Sequence, residues 1–334
     1  MPKKVKVAFV GSGGMAEAHS APLSAMRDVQ IVGYCDVVKS KAKRMAEQYD
    51  AAAFTDATEM MDAVEPDAVY FCLPPFAHGA ELEAIKRGIP FLIEKPIGMD
   101  LALSKKIAAA VKRKRLLTSA AYMNRYRKGV QTVRKLLRDD PAIMMLGGWI
   151  GGTPRPRRGV GIWSWWVQKD KSGGQFLEQV THTVDLARFL CGDAVQVHAY
   201  AAEGFNKGTP RNYSIEDASV VNIQFESGAV ANLWASCSAN AGGEGVSLNV
   251  YASKTTALFS GWEHSVRLLQ AGKKERQIPG EDDIFGIENK AFIKAVRTGK
   301  ADGIMSSYAD AVNTLAISVA ANKSMETGTP VKVG

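Results

Sequence analysis

Short apolar runs alternate with segments of helical spacing over the first 120 residues of the chain. Val5–Val10, Val29–Cys35 and residues 68–73 are strand-like, whereas residues 15–26 and 39–49 have the spacing of helices. Because strands and helices alternate at this interval, we expect right-handed βαβ units and a parallel sheet. The strands are continuous apolar runs, which is typical of strands that helices cover on both faces.

The pattern changes after about residue 123. Residues 195–202, 218–226, 229–238 and 247–252 are longer strand-like runs, several with alternating polarity. Ser227-Gly228 fits a hairpin turn between the second and the third of these runs. Consecutive strands of this kind predict a second domain of the α+β class, with a large and mainly antiparallel sheet.

The first strand runs into a glycine-rich turn, Gly11-Ser12-Gly13-Gly14-Met15-Ala16, which matches the G-x-G-x-x-A fingerprint and opens a helix. Gly11 permits the tight turn, Gly13 lets the backbone approach a pyrophosphate, and the helix N-terminus faces the anion. Glycine turns also end ordinary strands, but this one lies between a strand and a helix near the start of the chain. We therefore expect a Rossmann domain, an α/β fold with a doubly wound parallel sheet.

Asp36 follows directly after the second strand, where an acidic residue is expected to meet the hydroxyls of an adenosine ribose. A carboxylate at this position repels a 2′-phosphate, so the expected cofactor is NAD. Residues 39–41 (Lys-Ser-Lys) follow shortly after and could hold a 2′-phosphate, so NADP is the alternative cofactor. A helix cap or a turn residue is the alternative role for Asp36.

The 334 residues suffice for two domains, each with its own core. We expect residues 1–122 to form the dinucleotide-binding Rossmann domain and residues 123–334 to form a substrate-binding and oligomerisation domain. The last helix, at about 307–327, is free to pack back on the first domain.

The formal net charge is +8, but the basic residues are mostly spread among acidic ones. A solvated helix face explains that spread, and a positive excess suits a phosphate-bearing cofactor. No nucleic-acid-binding module accompanies the charge, and no apolar run approaches the roughly 20 residues that span a bilayer. The four widely separated cysteines are typical of reduced thiols. We expect a cytoplasmic protein with no nucleic-acid and no membrane partner.

Three later motifs carry a resemblance to a known family. They are Leu-Pro-Pro-Phe-Ala-His at 73–78, Glu94-Lys95-Pro96 at the end of the fifth strand, and Gly-Gly-Gln-Phe-Leu-Glu-Gln-Val-Thr-His-Thr-Val-Asp-Leu at 173–186. With the closing Glu-Thr-Gly-Thr-Pro-Val at 326–331, the chain resembles the glucose–fructose oxidoreductase/inositol dehydrogenase (Gfo/Idh/MocA) family over essentially its whole length. The resemblance implies an NAD(P)-dependent oxidoreductase acting on a sugar, a cyclic polyol or a derivative. It also implies a homodimer or homotetramer formed through the exposed antiparallel sheet.

The same resemblance assigns the cofactor contacts to the glycine turn, to the acidic residue after the second strand, and to the two motifs that follow later strands. These residues are Gly11, Ser12, Gly13, Gly14, Met15, Asp36, Leu73, Pro74, Pro75, His78, Glu94, Lys95 and Pro96.

Three residues are expected to carry the chemistry. By the resemblance, Lys95 lies beside the nicotinamide and bonds the reacting oxygen. His182 is the expected acid/base, because imidazole titrates near working pH. Glu178 precedes His182 by four residues, one turn of a helix, and would orient the ring or bond a second substrate hydroxyl. The family usually has Asp at the position of Glu178 and Gly at that of Val180.

A metal is the alternative reading of Glu178 and His182, because a Glu-x-x-x-His pair can ligate one. Asp185 is the candidate for a third ligand, and it could equally brace its helix. Family members of this kind usually need no metal, so none is expected.

Five further residues are expected to contact the substrate beside Lys95, Glu178 and His182. Residues 121–126 resemble the crossover segment of the family, which implies contacts from Tyr122, Asn124 and Arg125, and the other two are Trp163 and Trp166. The two tryptophans belong to a segment at 147–171 that also contains Trp149, Trp165, Arg155, Arg157 and Arg158. Aromatic faces suit a sugar ring, and arginines suit a carboxylate or phosphate. A subunit contact is the alternative, since Trp and Arg are also enriched in interfaces.

Three hypotheses about function remain at this point. The first is reversible hydride transfer between nicotinamide and a ring carbon that bears a hydroxyl or carbonyl. The second is transient oxidation with bound NAD, in which a 3-keto sugar forms, permits elimination or epimerisation, and is reduced again. The third is a non-catalytic, dinucleotide-sensing regulatory protein, against which the intact Lys95 and His182 argue.

Overall fold

The computed structural model describes residues 4–151, 163–207, 209, 211–238 and 245–334, with the backbone alone for Trp163. The chain divides into two compact units. The first unit comprises Met1–Met123 and Asp283–Val312, and the second comprises Asn124–Asp282 and Asn313–Gly334. Asp283–Val312 thus belongs to the first unit, whereas the sequence pattern placed it in the second domain.

The first unit is built from alternating strands and helices. In chain order they are β1 (Val5–Val10), α1 (Gly14–Ser24), β2 (Val29–Cys35), α2 (Lys39–Gln48), β3 (Ala52–Phe54), α3 (Ala57–Val64), β4 (Ala68–Phe71), α4 (Glu81–Arg87), β5 (Phe91–Ile93), α5 (Leu101–Lys114) and β6 (Thr118–Ala120).

The six strands form one parallel sheet in the order β3-β2-β1-β4-β5-β6. This is the doubly wound order, so the predicted Rossmann sheet is confirmed. The strand order reverses between β1 and β4, and ligands of such sheets bind beyond the carboxyl ends of the strands at this point. The glycine turn, residues 73–78 and Glu94-Lys95-Pro96 follow β1, β4 and β5, so all three leave the sheet at one edge.

The interior of the first unit explains the continuous apolar runs. Every residue of β4 and β5 is buried, as expected for strands covered on both faces. The Phe9 ring lies between Tyr34 and Tyr70, with centroids 5.1 and 5.0 Å away. Asp100 caps α5 by accepting hydrogen bonds from two backbone N–H groups, which fixes where the helix begins after β5.

The second unit contains most of the remaining elements. After the 3-10 turn at Met123–Tyr126 they are α6 (Lys128–Leu136), β7 (Ala142–Ile150), α7 (Trp163–Trp166), α8 (Lys169–Ser172), α9 (Gln175–Glu178), α10 (Thr181–Cys191), β8 (Ala194–Ala202), β9 (Ala218–Phe225), β10 (Val230–Ser236), β11 (Gly245–Ala252), β12 (Thr255–Ser260), β13 (Ser265–Gln270) and β14 (Arg276–Ile278). Three elements complete the chain: α11 (Ile284–Thr298) in the first unit, α12 (Tyr308–Thr327), which begins in the first unit and ends in the second, and β15 (Val331–Lys332) in the second.

The nine strands of the second unit form one sheet in the order β14-β13-β12-β11-β7-β10-β9-β8-β15. All neighbouring strands are antiparallel except β10 and β7, which are parallel, so the predicted mainly antiparallel sheet is confirmed. The predicted turn at Ser227-Gly228 joins β9 to β10, and Gly228 adopts the left-handed conformation it requires, with φ +86°.

One face of this sheet covers a core, and the other carries exposed apolar side chains. Along β9, Val221 and Ile223 are buried and pack with Val184 of α10, whereas Val220 is exposed. Tyr200 of β8 is also exposed. Alternation of this kind places one face against helices and leaves the other open. Among the described residues, no helix is long and apolar enough to cross a membrane.

Candidate active site

The glycine turn adopts the conformation that its fingerprint predicts. Gly11 has φ +91°, and a Cβ at this position would lie 2.2 Å from the carbonyl oxygen of Cys72, so only glycine fits. Gly13 precedes α1, and a Cβ at Gly13 or Gly14 would meet no atom within 4 Å. The backbone is therefore open beside the N-terminus of an 11-residue helix, as a pyrophosphate requires.

Asp36 ties this turn to the end of the second strand. Its Oδ2 accepts a 3.0 Å hydrogen bond from the backbone N–H of Ser12, and its Oδ1 accepts one of 2.9 Å from Val38. Each carboxylate oxygen has a further lone pair for a ribose hydroxyl. The glycine turn and Asp36 therefore fit an adenine dinucleotide. Asp36 also acts as a turn residue, because it accepts hydrogen bonds from two backbone N–H groups.

The segment after β4 is shaped by His78. Its Nδ1 lies 2.6 Å from Oε1 of Glu81, which is fully buried, and Oε2 of Glu81 accepts a 2.6 Å hydrogen bond from the Gly79 N–H. Burial opposes ionisation of Glu81, but the hydrogen bonds from His78 and Gly79 prevail and lower the pKa of this carboxyl. Glu81 was missed from the sequence, where it looks like any acidic residue in the first turn of a helix.

Glu94-Lys95-Pro96 directly follows β5, and the Lys95–Pro96 peptide bond is cis. Lys95 is half-buried, whereas Glu94 is buried. Oε1 of Glu94 lies 2.9 Å from Nε2 of His19, and Oε2 accepts a 3.0 Å hydrogen bond from the Lys95 N–H. His19 was not predicted as a site residue. The available signal was its position three residues after Ala16, on the buried side of the helix that the glycine turn opens.

In the second unit, Glu178 and His182 do not share one regular helix, so that expectation is wrong. Glu178 ends α9 and His182 lies in the first turn of α10. The backbone N–H of Val180 bonds to the carbonyl of Gln175, five residues back, and that of His182 bonds to Gln179, three residues back. Because the i to i+4 ladder is broken between them, helical spacing does not set their relative orientation.

Glu178 is held from within the second unit. Its Oε2 accepts a 2.7 Å hydrogen bond from the indole Nε1 of Trp166, and both side chains are buried. Trp166 packs in a small apolar cluster with Val167 and Ile215. The Trp166 side chain is thus buried among protein side chains, and its indole N–H bonds to Glu178.

One further tryptophan meets His182, and a second tryptophan packs against the first. The ring of Trp262, in the turn between β12 and β13, meets the buried His182 imidazole edge to face, with centroids 5.8 Å apart and an interplanar angle of 89°. Trp149 lies 5.4 Å from Trp262, centroid to centroid. Trp262 is 45% exposed, so an apolar ring surface lies open next to the imidazole. Trp262 was missed because a lone aromatic in a turn carries no sequence signal.

Arg125 and Asp185 form a buried pair. The guanidinium of Arg125 donates from Nε and Nη2 to the two carboxylate oxygens of Asp185, at 2.8 and 2.6 Å. Thr314 adds a 2.9 Å hydrogen bond to Asp185. This arrangement favours the bracing role for Asp185 over ligation. Among the residues that the structure describes, no cluster of three or more His, Cys, Asp or Glu side chains could hold a metal ion.

The other predicted substrate contacts are placed as follows. Tyr122 and Asn124 are buried, and Oδ1 of Asn124 accepts a 2.7 Å hydrogen bond from Nε of Arg127. Trp163 begins α7. The three arginines expected between the tryptophans lie outside the described residues; they are Arg155, Arg157 and Arg158.

The doubly wound sheet, the glycine turn and the acidic residue after β2 together define a dinucleotide-binding protein with a second α+β unit. Two family models match the chain. Residues 5–122 match the Gfo/Idh/MocA oxidoreductase family with an NAD-binding Rossmann fold, and residues 149–258 match the Gfo/Idh/MocA C-terminal domain. The chain belongs to the Gfo/Idh/MocA family of oxidoreductases.

Relatives with assigned names span the whole chain. The scyllo-inositol 2-dehydrogenase (NAD(+)) of Bacillus subtilis (strain 168) is 23% identical over 342 residues, which cover 100% of this chain and 97% of that protein. The myo-inositol 2-dehydrogenase of Thermotoga maritima is 22% identical, with 98% of each chain covered.

Solved structures share the fold. A levoglucosan dehydrogenase in complex with NADH superposes with a TM-score of 0.88 at 19% identity, covering 99% of this chain and 100% of that one. The WlbA dehydrogenase of Bordetella pertussis, in complex with NADH and UDP-GlcNAcA, gives a TM-score of 0.86 at 18% identity, with 99% of each chain covered.

Proposed function

We propose that this oxidoreductase transfers a hydride between NAD and a ring carbon that bears a hydroxyl or carbonyl group, in a sugar, a cyclic polyol or a derivative. One observation carries the proposal. Lys95 follows β5 at the edge of the sheet where the glycine turn follows β1. The residue that carries the ammonium group is therefore at the same edge as the turn that fits the dinucleotide. Ligands of doubly wound sheets bind at this edge.

The proposed chemistry divides among three side chains. The bound nicotinamide supplies the acceptor or donor of the hydride. The ammonium of Lys95 holds the reacting oxygen and stabilises negative charge that develops on it. His182 takes or returns the hydroxyl proton, and Glu178, anchored by Trp166, orients that group or a second hydroxyl of the substrate.

A ring-shaped substrate is supported by the surroundings of His182. Trp262, which packs against Trp149, offers apolar ring surface next to the imidazole, and such surface suits the C–H face of a sugar or inositol ring. Two relatives named as inositol dehydrogenases, each covering nearly the whole chain, point to the same class of substrate. NAD is favoured over NADP because Asp36 places a carboxylate after β2, as in NAD-binding Rossmann sites.

Cytoplasmic location and a homodimer or homotetramer complete the proposal. The outer face of the nine-stranded sheet carries Tyr200, Val220 and Val230, which are exposed in the single chain. Apolar side chains on one open sheet face are typical of a subunit contact.

The testing experiment is a nicotinamide absorbance assay across free sugars, inositols, uronates and glycosides, with NAD and NADP supplied separately. We expect reduced nicotinamide to accumulate with one class of ring substrate and with NAD. A silent assay with cofactor bound to the purified protein would instead support transient oxidation through a 3-keto sugar. Cofactor binding without substrate conversion, measured by product analysis, would support a regulatory protein.

A further inference from the structure

Three side chains from three separate segments meet inside the first unit. His19 lies on α1, Glu94 follows β5, and Asn289 lies on α11; all three are buried. Nδ1 of His19 is 2.8 Å from Oδ1 of Asn289, and Nε2 is 2.9 Å from Oε1 of Glu94. Both ring nitrogens are therefore engaged, one by an amide and one by a carboxyl group.

The orientation of the Asn289 amide fixes the proton on one side of the ring. Its Nδ2 donates to the backbone carbonyl of His19 at 3.3 Å, and the opposite orientation would set two oxygens against each other. Oδ1 therefore faces Nδ1 of His19. Because an amide oxygen only accepts, Nδ1 carries a hydrogen.

A second proton must then lie between His19 and Glu94. With a hydrogen on Nδ1, a neutral ring presents a bare nitrogen at Nε2, and an ionised Glu94 presents only acceptors. Two acceptors 2.9 Å apart inside a protein would repel, so the pair holds a proton, either as imidazolium with carboxylate or as imidazole with carboxylic acid. Either form gives a strong hydrogen bond that fixes the Glu94 side chain.

The other oxygen of Glu94 passes this constraint to the lysine. Oε2 accepts the hydrogen bond from the Lys95 N–H at 3.0 Å. We propose that His19 and Asn289 are positioning residues that hold the Glu94 carboxyl group and, through it, the backbone from which the Lys95 ammonium reaches the substrate. The proposal deepens the proposed hydride transfer and rests on it for the role of Lys95. The contact between His19 and Glu94 joins α1, the helix after the glycine turn, to the end of β5.

Packing alone does not account for the cluster. The His19 ring also contacts Tyr70 and Phe285, with centroids 5.3 and 5.4 Å away. An apolar ring would satisfy those contacts without burying polar atoms, whose burial costs free energy unless each is hydrogen bonded. This difference makes His19→Phe the informative variant, because it keeps the ring packing and removes both hydrogen bonds.

The test compares His19→Phe and Asn289→Ala with wild type, and uses Lys290→Ala as the control because Lys290 is an exposed neighbour on α11. Crystal structures report the position of the Glu94–Lys95 peptide, calorimetric titration reports NAD affinity, and steady-state assays report kcat and KM. We expect the peptide to shift by about 1 Å and kcat to fall about 10- to 100-fold in His19→Phe, with NAD affinity within about threefold of wild type. Asn289→Ala should show the same changes to a smaller degree.

A conservative pair separates positioning from simple destabilisation. In Glu94→Gln, the amide can donate to an unprotonated Nε2 while its oxygen accepts from the Lys95 N–H, so part of the kcat lost in Glu94→Ala should return. The proposal is overturned if His19→Phe leaves both the Glu94–Lys95 peptide and kcat unchanged. It is also overturned if kcat, NAD affinity and Tm fall together in His19→Phe and Glu94→Gln recovers none of the kcat lost in Glu94→Ala. A wild type that turns over no ring substrate would contradict the proposed function instead, and the peptide position would still decide the positioning role.

Discussion

The indole of Trp166 donates a 2.7 Å hydrogen bond to Glu178 in the interior of the second unit. The backbone between Glu178 and His182 departs from regular helical hydrogen bonding, because the N–H of Val180 bonds to a carbonyl five residues back. The direction of the Glu178 carboxylate is therefore set by Trp166 more than by helical geometry. A buried carboxylate without such a donor would be costly.

Trp166→Phe should reduce activity while preserving the fold. The variant keeps a buried aromatic ring and removes the N–H that fixes Glu178, so kcat/KM should fall about 5- to 50-fold, as expected for loss of a hydrogen bond to a charged group. Steady-state kinetics and Tm measure the two effects. Trp234→Phe, a change of the same kind on β10, should leave kcat/KM near wild type. Equal kinetics of Trp166→Phe and wild type would show that Glu178 does not depend on this bond.

Lys95→Met should abolish most turnover and spare the cofactor. Methionine preserves the unbranched side chain but removes the ammonium that holds the reacting oxygen, so kcat should fall about 10²- to 10⁴-fold with NAD affinity largely intact. Single-turnover absorbance and calorimetric titration provide the two readings. Lys106→Met, on the exposed side of α5, is the matched control. Unchanged turnover in Lys95→Met would remove this lysine from the mechanism.

Asp36→Asn should weaken NAD binding and lower the ratio of NAD affinity to NADP affinity. The carboxylate accepts from the Ser12 and Val38 N–H groups, and an amide nitrogen cannot replace one of these acceptors. We expect NAD affinity to fall about tenfold or more, with a smaller change for NADP because the charge that repels a 2′-phosphate is lost. Titration with both cofactors measures this. The control variant Glu47→Gln on α2 should change neither affinity. If the ratio of NAD affinity to NADP affinity is the same in Asp36→Asn as in wild type, Asp36 does not contact the ribose.

Trp262 should contribute to recognition of the substrate ring. Trp262→Ala removes aromatic surface next to His182, so KM for the ring substrate should rise about 2- to 10-fold, whereas Trp262→Phe should retain most of the affinity. Initial rates over a range of substrate concentrations provide KM and kcat for both variants. If Trp262→Ala and wild type have the same KM, ring stacking on Trp262 is not part of recognition.

His264 should make the stability of the second unit depend on pH. Its Nδ1 donates to the carbonyl of Trp262 at 2.9 Å, while Nε2 is buried with no hydrogen-bond partner among the described residues. Burial lowers the pKa of His264 to about 4. In the unfolded chain the ring binds a proton near its ordinary pKa of about 6.5. The unfolded state therefore gains the proton first as the pH falls.

The stabilisation from a neutral His264 is fully present above about pH 6.5 and is lost progressively as the pH falls towards about 4. The loss should reach about 2 to 3 kcal/mol near pH 4.5. Differential scanning calorimetry of wild type and His264→Gln tests this, because glutamine does not titrate. We expect the Tm advantage of wild type to shrink as the pH is lowered. A Tm difference that stays constant with pH would show that His264 is not the titrating group.

Much of the first unit followed from local pattern. Continuous apolar runs, helical spacing and the glycine turn each depend on neighbouring residues, and they predicted the parallel sheet. Asp36 and Lys95 could be placed at one edge of that sheet because parallel strands end on the same side. The alternating strands of the second unit predicted its antiparallel sheet, although the parallel pairing of β7 with β10 had no signal in the sequence.

The tertiary structure alone decided which polar side chains meet. His19 bonds to Glu94 and to Asn289 across 75 and 270 residues of chain, Arg125 bonds to Asp185 across 60, and Trp166 rather than a helical neighbour fixes Glu178. Sequence periodicity reports that a residue faces the interior, but it does not identify a partner from a distant segment. A buried polar atom requires some hydrogen-bond partner, and only the packing of the elements determines which one it receives.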